Sequence, residues 1–222
     1  MGLFGFGKSK IDKRKKDWIL ESADWRNKGN ALVKLGKNEE AIECYDKAVS
    51  LDSTNGKAWS DKGNALVKLG KNDEVIVCFS QVIRLNPEDL MAWRNKGNAL
   101  VKLGKNEDAI ECYNQVIRFN SKDSDAWFNR GNSLANLKKF EEAIACYDKV
   151  LSLDTEDLRA WFNRGNSLAN LKKFEEAITC FDKVIEKNPE YPSVLRYKGM
   201  SLKKLGKGEE AEHYFTKDKK LL

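Results

Sequence analysis

Hydrophobic residues recur along this chain in pairs of short segments, each with the period of an α-helix. In the first segment, apolar and small residues three or four apart form one face: Trp25, Gly29, Leu32 and Leu35. In the second segment, the same period links the residues Ala41, Ile42, Tyr45, Ala48 and Val49. These spacings are typical of an amphipathic helix, whereas a strand alternates every second residue. The pattern therefore predicts two helices, about residues 22–35 and 38–51.

This pair of helices returns every 34 residues. The segment AWFNRGNSLANLKKFEEAI from Ala126 occurs again, letter for letter, from Ala160, and looser copies start at residues 24, 58 and 92. A fixed period of this length indicates a repeat architecture, in which each repeat buries its apolar face against its neighbours. We predict an N-terminal basic segment with a capping helix at 1–21 and a repeat array at 22–222. The predicted repeats are about 22–55, 56–89, 90–123, 124–157, 158–191 and 192–222.

Several columns of residues keep the same spacing. Tryptophan recurs at Trp25, Trp59, Trp93, Trp127 and Trp161. A glycine inside each first helix recurs at Gly29, Gly63, Gly97, Gly131, Gly165 and Gly199. An aromatic residue in each second helix recurs at Tyr45, Phe79, Tyr113, Tyr147, Phe181 and Phe215. With a small residue four positions before each aromatic, usually alanine, these columns resemble the tetratricopeptide repeat (TPR) family over about nine-tenths of the chain.

The resemblance implies an all-α fold, a right-handed α-solenoid of six TPR helix-turn-helix repeats whose first helices line a concave groove. It also implies a non-enzymatic interaction scaffold that holds a peptide or helix of a partner protein in that groove. A glycine inside a helix costs about 1 kcal/mol relative to alanine. We therefore expect these glycines to let two helices approach closely, with the neighbouring Trp filling the space beside them.

The turns predict where the helices begin and end. Gly36 is expected to adopt the left-handed conformation that ends a helix, and Asn38 is expected to cap the next one. The fourth and fifth repeats differ, because a lysine replaces this glycine and a phenylalanine replaces this asparagine. The replacements are Lys138, Lys172, Phe140 and Phe174. We expect tighter packing between the helices of these repeats, at some cost in turn strain.

A cation precedes each mid-helix glycine, where the family usually has leucine. These residues are Lys28, Lys62, Lys96, Arg130, Arg164 and Lys198. Lysine and arginine have long aliphatic stems, which can cover apolar surface while the charged end stays hydrated. We expect the stems to lie along the stack and the charges to be in water.

The N-terminal segment has a different character. Residues 1–10 are rich in glycine, and we expect them to be disordered or loosely docked ahead of a basic helix that begins near Ile11. Trp18 and Ile19 are expected to pack on the first repeat. Leu3, Phe4 and Phe6 precede a basic run, so residues 1–16 leave a membrane-peripheral tether open as an alternative. We favour a tail whose lysines are solubilising.

Composition argues against catalysis and against several kinds of partner. The chain has one histidine, no glycine-rich phosphate loop after a strand, and no signal peptide or apolar run near the roughly 20 residues of a membrane span. We predict no enzyme, no cofactor and a cytoplasmic location. The net charge of +6 comes mostly from the two ends, and the nearly balanced repeats do not favour nucleic acid.

The five cysteines also keep the repeat spacing, at Cys44, Cys78, Cys112, Cys146 and Cys180. An odd number at this spacing is a poor disulfide framework. We interpret them as small buried apolar side chains, and a metal or redox ladder is the less favoured alternative.

The first helices carry amides, cations and aromatic residues in register, and they hold an excess of positive charge within a nearly neutral repeat region. These features predict a groove for an acidic or carboxylate-bearing segment of a partner protein. The candidate peptide-binding residues are Arg26, Asn30, Asn64, Arg94, Asn98, Phe128, Asn129, Asn132, Arg159, Phe162, Asn163 and Asn166.

Three alternatives stay open for this surface. Some TPR domains clamp a terminal carboxylate, and Arg94, Asn98, Asn129 and Arg159 resemble that clamp, with Asn163 where its last cation would stand. The asparagine columns could also be helix surface inherited by duplication. Near-identical repeats could stack between chains, although the charged ends favour a monomer.

Overall fold

The computed structural model describes the backbone of residues 5–219 and the side chains of residues 14–219. This part of the chain forms twelve α-helices and no strand. The helices are α1 (Gly5–Lys34), α2 (Asn38–Leu51), α3 (Gly56–Lys68), α4 (Asn72–Leu85), α5 (Leu90–Lys102), α6 (Asn106–Phe119), α7 (Ser124–Asn136), α8 (Phe140–Leu153), α9 (Leu158–Asn170), α10 (Phe174–Lys187), α11 (Val194–Lys204) and α12 (Gly208–Lys219). Twelve is the number that six helix pairs require, so the predicted all-α repeat fold is confirmed.

The chain divides into two compact units, Met1–Lys105 and Asn106–Leu222. The first unit contains α1 to α5, and each helix packs on the next. The second unit contains α6 to α12 and is built in the same way. In addition, α1 contacts α3 in the first unit, while α7 contacts α9 and α9 contacts α11 in the second. First helices of successive repeats therefore lie side by side within each unit. None of the described helices is both long and apolar enough to cross a membrane.

The first helix differs from the prediction at its N-terminus. α1 begins at Gly5 rather than near Ile11, so residues 5–10 are helical and the expectation of a disordered segment is wrong for them, while loose docking stays a prediction. Residues 1–4, with Leu3 and Phe4, lie outside the described part, as do the side chains of Phe6 and Ile11. α1 has 30 residues and α2 has 14. At 1.5 Å per residue, α1 is longer than its partner by about 24 Å.

The longer helix leaves an apolar surface uncovered. Trp18, Ile19 and Leu20 are 51%, 46% and 58% exposed. About half of the surface of Trp18 and Ile19 is therefore exposed, so their predicted packing on the first repeat is incomplete. The reason is that α2 is too short to cover this part of α1.

The second helices bury the predicted face. In α2, the buried residues include all five of the predicted stripe, Ala41, Ile42, Tyr45, Ala48 and Val49. In the first helix, however, the stripe ends one residue early. Leu35 lies in the turn after α1 and is 72% exposed, because the helix has already ended at Lys34.

The mid-helix glycines accommodate an aromatic ring from the second helix of the same repeat. A Cβ atom on Gly29 would lie 2.5 Å from the Tyr45 ring, and one on Gly165 would lie 2.8 Å from the Phe181 ring. Such distances are shorter than real Cβ contacts allow. The predicted close approach is confirmed, but the side chain in that space is the Tyr or Phe and not the Trp. The Tyr or Phe ring occupies the space next to the glycine because it projects from the second helix of the same repeat, which lies directly opposite.

The tryptophans instead hold the turn between repeats. In four of them, the indole Nε1 donates a hydrogen bond to the backbone carbonyl six residues earlier, at distances of 2.8 to 3.1 Å. The pairs are Trp59 with Ser53, Trp93 with Pro87, Trp127 with Ser121, and Trp161 with Thr155. Trp59 also packs against Ala48 and Val49 of the preceding repeat. A partly buried indole N–H usually finds an acceptor, and here the acceptor ties the turn to the next helix.

The helix caps lie at the first helices rather than at the second. Asn55 caps α3 through a hydrogen bond from the Ala58 amide, and aspartates do the same for α5, α7 and α9. Asn38 is the first residue of α2 and does not cap it, since the preceding Lys37 takes the cap position without a side-chain bond. The predicted cap at Asn38 is therefore wrong.

The turn inside each repeat behaves as predicted. Gly36 has a φ of 77°, in the left-handed region. Lys138 and Lys172 take the same conformation, with φ of 60° and 63°. Because a side chain at positive φ is strained, the predicted turn strain is confirmed. Phe140 and Phe174 are half-buried, and tighter packing in these repeats stays a prediction.

Candidate functional site

The candidate site lies on the surface formed by neighbouring first helices. We call this surface the first-helix face: α1 and α3 in the first compact unit, and α7, α9 and α11 in the second. Its side chains divide into those that bond within the fold and those that stay available to a ligand. The candidate residues fall into both groups.

The asparagine column is partly used by the fold. Asn30 accepts a hydrogen bond from the Tyr45 hydroxyl at 2.7 Å, and Asn132 accepts one from the Tyr147 hydroxyl at 2.9 Å. Burial, and next the Asp61 carboxylate, raise the pKa of Tyr45 to about 12, so this hydroxyl keeps its proton and donates. The amide oxygens of Asn30 and Asn132 are therefore structural in part.

Where the aromatic residue is Phe, the amide has no such partner. Asn64 is exposed on α3, and its Oδ1 receives only a long contact of 3.5 Å from the Asn95 amide. Asn166 accepts a hydrogen bond from Asn170, one turn further along α9. No described group accepts from the Nδ2 of Asn64 or Asn166. These two amides remain available to a ligand.

The second row of asparagines links neighbouring first helices. The Asn163 amide donates to Asn132 Oδ1 at 3.0 Å, which joins α9 to α7. Asn129 is half-buried on α7, and its backbone carbonyl accepts from the Ser133 hydroxyl. These contacts give Asn163 a structural role that the sequence did not reveal.

The cations of the face are also partly neutralised. Arg26 forms an ion pair with Asp61 at 2.6 Å, between α1 and α3. Arg159 bonds to Asp157 at 2.7 Å and lies near Asp125 at 3.4 Å. Hydrogen bonding to Asp157 raises the pKa of the Arg159 guanidinium. Both arginines therefore already have carboxylate partners.

The aromatic candidates pack within the second compact unit. The Phe162 ring lies 5.2 Å from the Tyr197 ring and 5.4 Å from the Tyr191 ring. The Phe128 ring lies 6.0 Å from the Tyr147 ring, with the Arg159 guanidinium 4.7 Å above it. Both phenylalanines are half-buried.

The clamp hypothesis involves residues of both compact units. Arg94 and Asn98 lie on α5 in the first, and Asn98 is exposed. Asn129 and Arg159 lie on α7 and α9 in the second. The carboxylate clamp stays a prediction.

The first-helix face has one depression in each compact unit, and the two occupy the same place in the repeat. Between α1 and α3, a depression of about 390 Å³ is lined by Asn30, Val33, Lys34, Tyr45, Asp61, Asn64, Ala65 and Lys68. Between α9 and α11, a depression of about 430 Å³ is lined by Asn166, Ala169, Asn170, Phe174, Tyr197, Met200, Ser201 and Lys204. Seven of the eight residues lining the second depression lie 136 residues, or four repeat lengths, after a residue lining the first. The first depression has three charged lining residues, Lys34, Asp61 and Lys68, whereas the second has one, Lys204, together with Phe174, Tyr197 and Met200.

Seven of the eight lining residues of the second depression were not among the sequence candidates, including Phe174, Tyr197, Met200 and Lys204. The available signal was the change of residue in the last repeat. Tyr197 and Met200 replace asparagines of earlier repeats, at the positions of Asn163 and Asn166. Replacement of a polar column by larger apolar residues on an exposed face could have marked a binding position.

We expected the cations before the mid-helix glycines to have their charges in water, but three of them form ion pairs. Lys62 pairs with Asp46, Arg164 with Asp148, and Lys198 with Asp182, each on the second helix of the preceding repeat. In addition, the Arg164 guanidinium donates to the Cys180 thiol at 3.1 Å. Lys62, Arg164 and Lys198 thus join repeats, because that second helix places a carboxylate beside each of these three.

The five cysteines are buried and free, as predicted. Burial raises the pKa of Cys78 to about 11 and also raises the pKa of Cys146 and Cys180. These thiols stay protonated at neutral pH, and a protonated thiol is a poor nucleophile and a poor metal ligand. Among the described residues, no cluster of three or more His, Cys, Asp or Glu is placed to hold a metal ion.

Comparison with known families accounts for this arrangement. A model described as TPR repeat matches residues 29–70 and 97–138, and a tetratricopeptide repeat model matches 56–89, 124–157 and 158–191. Together these segments cover more than half of the chain. The chain belongs to the tetratricopeptide repeat family. TPR proteins are in general non-enzymatic scaffolds for protein–protein interaction. No curated protein matches the chain.

Solved TPR structures resemble the chain over most of its length. YrrB, described as a TPR protein with an unusual peptide-binding site, is 27% identical, with a TM-score of 0.74 over 87% of this chain and 97% of YrrB. A TPR protein from Parabacteroides merdae is 18% identical, with a TM-score of 0.78 over 89% of this chain and 78% of its own. MamA from Desulfovibrio magneticus RS-1 is 22% identical, with a TM-score of 0.72 over 78% of this chain and 98% of its own. The last two likenesses concern the fold alone.

Proposed function

We propose that this TPR protein is a cytoplasmic, monomeric scaffold that binds an acidic or carboxylate-bearing peptide or helix of a partner protein on its first-helix face. The candidate residues on that face take part as a set, some through direct contact and some by holding their neighbours. Asn64 and Asn166 are placed for direct contact, whereas Arg26, Asn132 and Asn163 hold the surface in shape.

The depression between α1 and α3 carries the proposal. Lys34 and Lys68 line it, and neither forms an ion pair with a described residue. The Asn64 amide lines the same depression. An exposed amide can donate to a peptide carbonyl, and lysines without internal partners attract carboxylates. The 27% identity to YrrB, which is described as having a peptide-binding site, supports the same kind of ligand.

Affinity capture tests this function. In a first variant, Lys34→Asn with Lys68→Asn, each substitution introduces the residue found at Asn136 and Asn170 in later repeats, so the helices should fold unchanged. We expect the wild-type chain to recover a partner with an acidic segment, and this variant to lose it. A synthetic peptide of that segment should bind the wild-type chain in calorimetry.

A matched control removes the same charge elsewhere. Lys122→Asn with Lys149→Asn changes two exposed lysines that do not line either depression. This control variant should keep the partner. Equal recovery by both variants, or a recovered partner without an acidic segment, would contradict the proposal.

A second candidate function is tethering to a membrane surface through α1. The observation that favours it is the exposed Trp18, Ile19 and Leu20 close to the exposed cations Arg14, Lys15 and Lys16. Exposed apolar residues beside a basic segment can bind anionic lipid reversibly. The full chain should then sediment with phosphatidylserine vesicles, and Trp18→Asp with Leu20→Asp should abolish sedimentation. Absence of the wild-type chain from the vesicle pellet would exclude this candidate.

A further inference from the structure

The two depressions of the first-helix face occupy the same place in the repeat but differ in chemistry. The first depression has Asp61 and Asn64 where the second has Tyr197 and Met200. The next corresponding position is a lysine in both, Lys68 and Lys204. Phe174 forms a further wall of the second depression. The second depression therefore offers larger apolar side chains beside a single cation, whereas the first has a carboxylate and two lysines.

The second depression is open because an amide link is missing. One repeat earlier, the Asn163 amide spans from α9 to Asn132 on α7 at 3.0 Å. At the next pair of helices, Tyr197 stands in the position of Asn163 and cannot make this amide link to Asn166. Its ring instead packs against Phe162 at 5.2 Å and Phe181 at 6.2 Å. The space between α9 and α11 is left uncovered.

The side chain at the rim can adapt to a ligand. Met200 is 49% exposed and lines the depression. Methionine is flexible and polarisable, and it adapts to apolar partners of different shapes. A volume of about 430 Å³ lies within the range of about 300 to 1,000 Å³ that is typical of ligand pockets.

The charge around this depression has one sign. Lys204 is its only charged lining residue, and no carboxylate lines it. Arg196 and Lys203, on the same helix, are exposed and form no ion pair with a described residue. Lys198, the remaining cation of α11, is already paired with Asp182. The free charge of α11 is therefore positive and complementary to an acidic ligand.

We infer that the depression between α9 and α11 is the specificity pocket for one large apolar side chain of the bound peptide, next to an acidic residue that pairs with Lys204. This assignment rests on the proposed function and defines its ligand more closely: an acidic segment that contains a bulky aliphatic or aromatic residue. The apolar residue enters between Phe174, Tyr197 and Met200. The peptide backbone is held by the free amide of Asn166.

Selection from a phage-displayed library of random twelve-residue peptides on the full chain tests this assignment. We expect enrichment of peptides with a large apolar residue beside Asp or Glu. A synthetic copy of the most enriched peptide is then measured by fluorescence polarisation. Met200→Asn, which introduces the residue of Asn166 in the preceding repeat, should weaken binding at least about tenfold because apolar burial is lost. Lys204→Asn should weaken it about three- to fivefold, as expected for an exposed ion pair.

Met91→Asn is the matched control, since Met91 is 59% exposed at the start of α5 and lines neither depression. This variant should bind the peptide as the wild-type chain does. Equal effects of Met91→Asn and Met200→Asn, or no effect of Met200→Asn, would overturn the pocket. Enriched peptides without a large apolar residue would also overturn it and leave the proposed function intact. If the library yields no peptide at all, both proposals fail.

Discussion

Single residues decide whether a repeated contact is complete. Arg164 and Arg130 occupy equivalent positions, but only Arg164 has an aspartate on the preceding second helix, paired at 2.6 Å. The residue equivalent to Asp148 is Asn114, and the Nε of Arg130 is buried without a partner. A buried donor without a partner destabilises the fold. Copying a repeat therefore copies the helix but not every bond that it makes.

The substitution Asn114→Asp should complete this contact. We expect it to raise the free energy of unfolding by about 0.5 to 1 kcal/mol, because the pair would be only partly shielded from water. Urea denaturation measures the change. The reverse substitution, Asp148→Asn, should lower stability by a similar amount. If both substitutions leave the urea midpoint unchanged, the ion pairs between repeats do not stabilise the array.

Two lysines occupy a turn position that glycine adopts more easily. Lys138 and Lys172 have positive φ where Gly70, for example, has a φ of 71°. Left-handed backbone costs a residue with a side chain about 1 to 2 kcal/mol, part of which a glycine loses again through the entropy of its unfolded state. Lys138→Gly with Lys172→Gly should therefore stabilise the chain by about 1 kcal/mol in total. A lower melting temperature of this variant in calorimetry would contradict the strain argument.

At the scale of the helix, the side-chain caps lie at the first helices of the repeats and not at the second helix, where the sequence suggested one. Asn38 and Asn55 both precede or begin a helix, but only Asn55 accepts a bond from a helix amide, at 3.0 Å. The Asn55 amide also donates to the Ser22 hydroxyl at 2.9 Å, which ties the turn to α1. By contrast, the Oδ1 of Asn38 is buried without a partner. Cap position depends on the backbone before the helix, which the sequence pattern does not specify.

These two asparagines form a matched pair for mutation. Asn55→Ala should destabilise the chain by about 1 to 2 kcal/mol, because a cap and a link to Ser22 are lost. Asn38→Ala should change stability by less than about 0.5 kcal/mol, since no cap is lost there. Thermal denaturation followed by circular dichroism measures both. A larger loss for Asn38→Ala than for Asn55→Ala would show that the caps are assigned to the wrong helices.

The close approach of paired helices can be tested with two glycines. A Cβ on Gly165 would meet the Phe181 ring at 2.8 Å and Cys180 Cβ at 3.0 Å, whereas one on Gly208 would meet nothing within 4 Å. Gly165→Ala should cost about 1 to 3 kcal/mol through overpacking, even though alanine favours a helix. Gly208→Ala should be neutral or stabilising in the same urea titration. Equal stability of the two variants would mean that the aromatic ring moves aside without cost.

At the scale of the whole molecule, positive charge lies on first helices and negative charge on the first turns of second helices. Every second helix, from α2 to α12, begins with acidic residues that favour its positive N-terminal dipole. This arrangement leaves lysines such as Lys34, Lys68 and Lys204 free on the first-helix face. The position of the charged residues therefore indicates the kind of partner better than the net charge of +6 does.

The location of charge predicts how salt affects binding. Raising the salt concentration from about 0.05 to 0.5 M shortens the screening length, so the affinity for an acidic peptide should fall, mainly through a slower association rate. Surface plasmon resonance with the peptide selected on the full chain measures both rates. Association that is independent of salt would indicate that the ligand is held by apolar contacts alone.

The residue pattern along the chain was enough to predict the helices, their period, the buried face of the second helices and the left-handed turns. These features depend on spacing along one helix or on the backbone of one residue, so they can be read locally. The packing of the helices in three dimensions shows which side chains meet: Tyr45 rather than Trp25 over Gly29, Asp46 beside Lys62, and the Asn163 amide on Asn132. It also places the depression of the second compact unit beside Tyr197 and Met200. Such pairs depend on which helix lies opposite and how closely it approaches, and a repeat pattern along the chain does not contain that distance.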